Sequence, residues 1–422
     1  MSSLPPAIPF SALGRRASPP TIARLMTLVL ETPGLLSLAA GFTDNATLPK
    51  AGVGGLVAGL SLPEANPEPL QYGTNQGRVG LRRILGGRLA ALEPSLDPEQ
   101  LARSTLVTNG SQQALYLAVQ VLCDARDIVL VDRPSYFVFL EMLAGLGVQV
   151  RTLPTDSNDA LELGATAALL EELRRTGEAA RVRAVYLVSY FSNPTAQSLS
   201  LERKRGLGVL LERHGLRVPV LEDAAYRELY FSTPADAPSV LSLPEWASFP
   251  RLYLSTLTKP FATGLKVGFG ICTDQTWLEK MLHVKGHHDF GTANFNQAVL
   301  EAALRGGEYD RQLSHVRTAY ARKMEILHRA LEENGLPALG WRWEKPGGGL
   351  YLWLRGPAHV DTRLDGTLCR ACLGERVIYV PGDLCFGDAA PLNYARLSFG
   401  VLNEDQLAEA ARRFCRAVRR ST

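Results

Sequence analysis

The chain has 422 residues, 45 Lys and Arg against 42 Asp and Glu, a formal net charge of +3 and 46% hydrophobic residues. That length accommodates two or three packed domains of roughly 100 to 200 residues each, and so even a charge balance argues against a nucleic-acid footprint. Six cysteines scattered along it fit reduced thiols, not a disulfide framework. Met1 to Phe10 lacks the basic and long apolar regions of a signal peptide. The apolar stretch Leu25 to Phe42 is interrupted by Thr27, Glu31, Pro33 and Gly34, which excludes a spanning helix. A soluble cytoplasmic protein is the expectation.

In chain order, residues 1–45 read as an arm with a helix over 20–31 and an extended run over 35–42 that ends at Gly41 and Phe42. A turn containing Tyr72 and Gly73 precedes a helical pattern over 79–92. From about residue 105 the pattern becomes apolar strand, turn and helix, repeated. Leu106-Val107-Thr108 runs through Asn109-Gly110-Ser111-Gln112 into a helix, so free N–H groups and the positive end of the helix dipole face whatever lies above Gly110 to Gln112. Plain capping by Gly-Ser is the competing account.

Further strands are expected over 128–131, 148–153, 182–188 and 218–221, separated by helices such as 163–175 and 201–214. This alternation predicts a mostly parallel sheet covered on both faces, with ligands at the carboxyl ends of its strands. Tyr136, Asn193, Asp223 and Tyr226 all fall just beyond such ends.

The stretch from Leu254 to Phe269 organises the rest. A short apolar strand leads into Ser255-Thr256-Leu257-Thr258-Lys259, and a glycine-punctuated return enters a second strand at Val267. A lysine at a strand end, shielded and near positive charge, loses its proton close to neutral pH and forms an imine with a carbonyl. A plain surface loop lysine is the bland alternative.

Helices follow over 277–305, interrupted at 287–292, and over 310–334; strands over 349–354, 377–380 and 394–399 then alternate with helices. Arg412, Arg413, Arg416, Arg419 and Arg420 crowd the C-terminus, as on the solvated face of a last helix. His283 and His287 share a helix face and Cys369 and Cys372 form a CxxC. Neither set has the partners of a metal site, so no metal is expected.

Four segments stand in order: Gly110-Ser111-Gln112-Gln113-Ala114, Ser192-Asn193-Pro194-Thr195, Glu222-Asp223-Ala224-Ala225-Tyr226 and Ser255-Thr256-Leu257-Thr258-Lys259. Together they resemble the fold-type I pyridoxal-phosphate enzymes, specifically the class I/II aminotransferases of the 2-aminoadipate and kynurenine branch. The resemblance implies an α/β fold with an N-terminal arm (1–45), a large, mostly parallel-sheet cofactor domain (46–305) and a smaller α+β domain (306–422).

It also implies a set of roles. Lys259 carries pyridoxal 5′-phosphate as an imine. Asp223 keeps the pyridine nitrogen protonated, and Tyr226 and Asn193 reach the ring oxygen. Tyr136 stacks on the ring, with Phe137 as its rival. Ser111, Gln112, Thr256, Thr258 and Lys266 hold the phosphate, joined by Tyr72 from a neighbouring subunit, hence a homodimer. Arg396 clamps the substrate carboxylate, with Gly41 and Asn193 beside it; a structural salt bridge is the competing account of Arg396.

Departures from the family pattern are Lys266 where it has arginine, Ala40-Gly41-Phe42-Thr43-Asp44 in the arm, Ala196 after Thr195, and the polar segment His287 to Asn294. The implied activity is ping-pong transfer of an amino group from an L-amino acid to a 2-oxo acid. The alternative is a specialised oxidase, cyclase, lyase or synthase using the same cofactor.

Overall fold

The computed structural model describes residues 8–421, so the first seven residues of the expected arm lie outside it. Twelve strands follow in chain order: β1 (Leu36–Ser37), β2 (Thr105–Asn109), β3 (Ile128–Val131), β4 (Gln149–Thr152), β5 (Val182–Val188), β6 (Val220–Asp223), β7 (Arg251–Thr256), β8 (Val267–Cys272), β9 (Tyr351–Arg355), β10 (Val377–Ile378), β11 (Val380–Pro381) and β12 (Tyr394–Ser398).

Strands β2 to β8 form a seven-stranded sheet in the order β2-β8-β7-β6-β5-β3-β4. Apart from the edge strand β4, which is partly exposed, its strands are largely apolar runs buried along nearly their whole length, as expected where helices cover both faces. All neighbours are parallel except that β8 runs antiparallel to both β2 and β7. That reversal matters for the site. It brings the start of β8, with Lys266 just before it, to the edge where β2, β5, β6 and β7 end. Asn109 pairs with Val267 there, and Thr256 with Gly268.

The β2 chain passes directly into the helix Gly110–Leu122 because Gly110 adopts φ +70°, a left-handed conformation open to glycine. Gly268 lets that helix start close against β8, since a Cβ there would lie 2.5 Å from the backbone of Gly110 and Ser111.

The C-terminal part holds a three-stranded antiparallel sheet, β11-β12-β9. The helix Glu404–Ser421 packs beside it against the helices Glu308–Glu333 and Thr367–Gly374 through Leu407, Ala410, Ala411, Phe414 and Val418, a 3.6-residue apolar stripe. The basic residues opposite are largely paired: Arg412 and Arg413 with Glu409, Arg416 and Arg420 with Glu375. The arm, separated in sequence from this part by the whole large sheet, is tied to it. β1 pairs with β10, and Ser398 N–H donates to Leu38 O at 2.6 Å.

Candidate active site

A cavity of about 590 Å³ opens at the strand ends of the large sheet, between the arm and β12. Every residue expected at the site lines it except Tyr72.

Lys259 follows β7, and its Nζ donates to Gly41 O at 2.7 Å. Burial pushes its pKa below the ordinary lysine value. Arg396 and Lys266 push the same way, while Tyr351 and Asp223 oppose them. Asp223 ends β6. Its Oδ1 accepts from Ala225 N–H and its Oδ2 from Tyr186 O–H, each at 3.0 Å. Burial raises this carboxyl to about 6, against the pull of those two hydrogen bonds and of Lys259. Tyr226 Oη lies 2.9 Å from Tyr351 Oη, and burial holds its hydroxyl well above the usual phenol range.

Arg396 sits on β12, 1% exposed. One terminal nitrogen donates to Asn193 Oδ1 and the other to Ala39 O, both at 2.8 Å, while the guanidinium lies 4.2 Å from the Tyr351 ring centroid. Its Nε is buried without a partner. Among the described residues no carboxylate comes within ion-pair distance of Arg396, so the salt-bridge account fails. A buried guanidinium with an orphaned donor is suited to a carboxylate from outside the chain.

At the opposite end, Ser111 and Gln112 open the helix Gly110–Leu122. The hydroxyls of Thr256 and Thr258 are 2.6 Å apart. Lys266 is exposed, with φ +56°, and has no hydrogen-bond or ion-pair partner among the described residues. Tyr136 Oη lies 3.5 Å from Gln112 Oε1, whereas Phe137, 2% exposed, packs below Arg396 at 5.4 Å. Tyr72 stands apart, 81% exposed and edge-on to Phe290.

The segment His287 to Asn294 does not line the cavity. Asp289 is tied to Lys285 at 2.9 Å and Gln113 at 2.8 Å. Cys369 and Cys372 are buried in the helix Thr367–Gly374, and burial pushes the Cys369 thiol to about 11.

Two residues at the site escaped the sequence reading. Tyr186, fully buried behind Asp223, lies inside an apolar strand, where a tyrosine reads as core. Tyr351 carried a signal: it follows Gly347-Gly348-Gly349. A Cβ on Gly348 would come within 2.7 Å of Leu229 O and of the Phe191 ring, and Gly349 has φ +77°. A glycine run ahead of a strand marks close backbone approach.

The residues present fit pyridoxal 5′-phosphate. There is a lysine with a weakened proton, a buried carboxylate for a ring nitrogen, a helix N-terminus with threonine hydroxyls for a phosphate, and an orphaned guanidinium for the substrate. Such an arrangement at the carboxyl edge of this sheet defines a fold-type I pyridoxal-phosphate enzyme. The chain belongs to the class I and II aminotransferases, whose family model matches residues 63–414.

It is 32% identical over 401 residues, 94% of each chain, to the 2-aminoadipate transaminase of Thermus thermophilus. It is 28% identical over 409 residues, 97% of this chain and 93% of the other, to aromatic-amino-acid aminotransferase 1 of Thermococcus litoralis. The structure of the alpha-aminoadipate aminotransferase of Thermus thermophilus, complexed with N-(5′-phosphopyridoxyl)-L-leucine, aligns with a TM-score of 0.82 at 29% identity, covering 98% of this chain and 97% of that one. The cofactor is pyridoxal 5′-phosphate and the reaction is amino-group transfer; the alternative of an oxidase, cyclase, lyase or synthase is not favoured.

Proposed function

We propose that Lys259, Asp223 and Arg396 divide the work of an L-amino acid:2-oxo acid aminotransferase. The bound cofactor supplies a carbonyl for the amino group and an electron sink for the bond that breaks at the substrate Cα. Arg396 receives the α-carboxylate through Nε and whichever terminal donors it draws from Asn193 and Ala39, which orients the substrate for reaction. Lys259 Nζ, which burial disposes to give up its own proton and stand as the free amine, accepts the Cα proton. Asp223 holds its charge against the cofactor's ring nitrogen, oriented by Tyr186 and the Ala225 N–H. Tyr226 and Asn193 reach the ring oxygen, and Tyr136 covers the ring. Ser111, Gln112, Thr256, Thr258 and Lys266 take the phosphate. Because donor and acceptor use the same Arg396, the first product leaves before the second substrate docks, which makes the kinetics ping-pong.

The observation that carries this reading is the orphaned Nε of Arg396 in one cavity with Lys259 and Asp223. The test is the visible spectrum of the holoenzyme on addition of single amino acids, with Lys259→Ala as control. A cofactor band that shifts on amino-group transfer in the wild type and not in the variant supports it. No shift with any amino acid, or the same shift without Lys259, refutes it. The relatives named above act on 2-aminoadipate and on aromatic amino acids, and we take donors of those kinds as the first to try.

We further propose a homodimer, with a boundary between cofactor domain and small domain near residue 305 and the arm ending near residue 45. The helix Lys50–Leu60 is apolar in sequence yet fully buries none of its residues within the chain, Val53 and Leu56 packing only in part against the core. Leu70, Tyr72 and Phe290 are 70%, 81% and 69% exposed. Covering such a surface with a second copy removes apolar area from water, and Tyr72 then reaches the phosphate of the neighbouring site. Among the described residues no helix is long and apolar enough to cross a membrane, and the free cysteines support a reducing, cytoplasmic setting.

A further inference from the structure

The charged residues lining the cavity are Asp223, Lys259, Lys266 and Arg396. Each is occupied in the proposed reaction: the ring nitrogen, the proton transfer, the phosphate and the α-carboxylate. The rest of the wall carries no charge: beside the hydroxyls of Thr263 and Tyr351 it offers chiefly Pro20, Ile22, Phe42, Leu115, Phe137 and Val138. All six are apolar. Leu115 and Phe137 are 1% and 2% exposed, whereas Phe42 is 48% exposed, so the wall runs from a packed floor to an open rim.

We infer that the side chain of the amino donor docks on this wall, and that the preferred donor carries a bulky uncharged apolar side chain, not a second carboxylate. The inference rests on the reading of the cavity as an amino-acid site. The helix Thr21–Glu31 supplies Ile22 to the wall, but its one cation, Arg24, is exposed and does not line the cavity; its charge bears instead on Cys369. Lys285, His287 and His288 do not line it either, and Lys285 is held by Asp289.

A distal carboxylate would therefore shed water against an apolar surface with no further cation among the described residues to meet it, which opposes binding. An apolar side chain gains in proportion to the area it buries. A single methylene in such a pocket discriminates about 10- to 200-fold, so a charged group in place of a phenyl ring is disfavoured at least as strongly.

The test uses two carboxylates that cannot react, 3-phenylpropionate and glutarate, titrated against the holoenzyme and read by perturbation of the cofactor's visible band. Both offer one carboxylate to Arg396 and differ at the far end. Binding of 3-phenylpropionate at least about 10-fold tighter than glutarate is expected, and equal or tighter binding of glutarate overturns the inference. Phe42→Arg, at the half-open rim, is expected to narrow or reverse the ratio, and Ile22→Lys reads the same wall where the first variant folds poorly. A ratio that neither substitution moves also overturns it. The analogues bind without turnover, so the preference is measured whether or not amino-group transfer occurs. A 10-fold preference without transfer to any amino acid would leave the apolar wall standing and sink the aminotransferase roles.

Discussion

Replacing Asp223 by Asn tests the electrostatics at the buried end of the cavity. This carboxyl is 5% exposed, and burial lifts it from an ordinary 3.8 to about 6. Between those values the folded chain holds more protons at this position than the unfolded chain does. Stability therefore falls as pH rises and levels off above about 6. At about 1.4 kcal/mol per pH unit, the ionised carboxylate destabilises the cofactor-free protein by about 3 kcal/mol at pH 8.

Asparagine removes the charge but weakens the bonds from Ala225 N–H and Tyr186 O–H, a loss of about 1 to 2 kcal/mol. Cofactor-free Asp223→Asn is thus expected to be about 1 to 2 kcal/mol more stable than wild type at pH 8. Only the step from pH 5 to about 6 falls within the titration, so the gap should shrink by about 1 kcal/mol at pH 5. Urea unfolding of the cofactor-free proteins at both pH values measures this, and binding of pyridoxal 5′-phosphate should weaken in the same variant. A stability difference that does not change with pH, or a variant less stable than wild type at pH 8, would refute the reasoning.

Gly41→Ala places a Cβ 2.8 Å from Tyr351 Oη, displacing the Gly41 carbonyl from Lys259 and the hydroxyl from Tyr226. A fall in kcat/KM of about 10- to 100-fold is expected with little change in Tm, and unaltered kinetics would count against the role of that carbonyl. Lys204 and Glu222, the residue before Asp223, form an ion pair at 2.8 Å with both side chains 0% exposed. Lys204→Met strands the carboxylate and should lose about 3 to 5 kcal/mol in urea unfolding; a loss under about 1 kcal/mol would mean the pair is replaceable. Lys266→Ala should weaken cofactor binding by about 10- to 100-fold, the worth of a charge-assisted hydrogen bond, while Lys266→Arg retains it. Equal affinity in all three proteins, measured by fluorescence titration, removes Lys266 from the phosphate site. Tyr72→Asp with Phe290→Asp should shift the sedimentation of the protein toward monomer, and unchanged sedimentation would exclude that surface as the interface.

Much of the chain was legible as local pattern. The strands over 128–131, 182–188 and 267–272 and the helices over 79–92 and 163–175 fall where apolar runs and 3.6-residue stripes placed them. β6 starts two residues later than expected and runs on through Asp223, so the carboxylate belongs to the strand itself, which accounts for its burial. The expected strand over 377–380 divides into β10 and β11, each with a different partner, because the chain leaves the arm and joins β12 within one residue.

By itself the sequence determined the apolar strands, the helix that opens on Gly110, and the lysine that follows β7. Each of these is written in dihedral preference and burial over a few neighbouring residues. Only the tertiary structure decided that Arg396 meets Asn193 across 203 residues, that Tyr351 faces the cavity with Tyr186 behind Asp223, and that an antiparallel β8 carries Lys266 to the end of the cavity where Ser111 and Gln112 lie. A buried tyrosine or arginine has the same local pattern whether it faces core or cavity. What distinguishes them is the packing of distant elements, and the sequence carries that only as volume and charge to be matched.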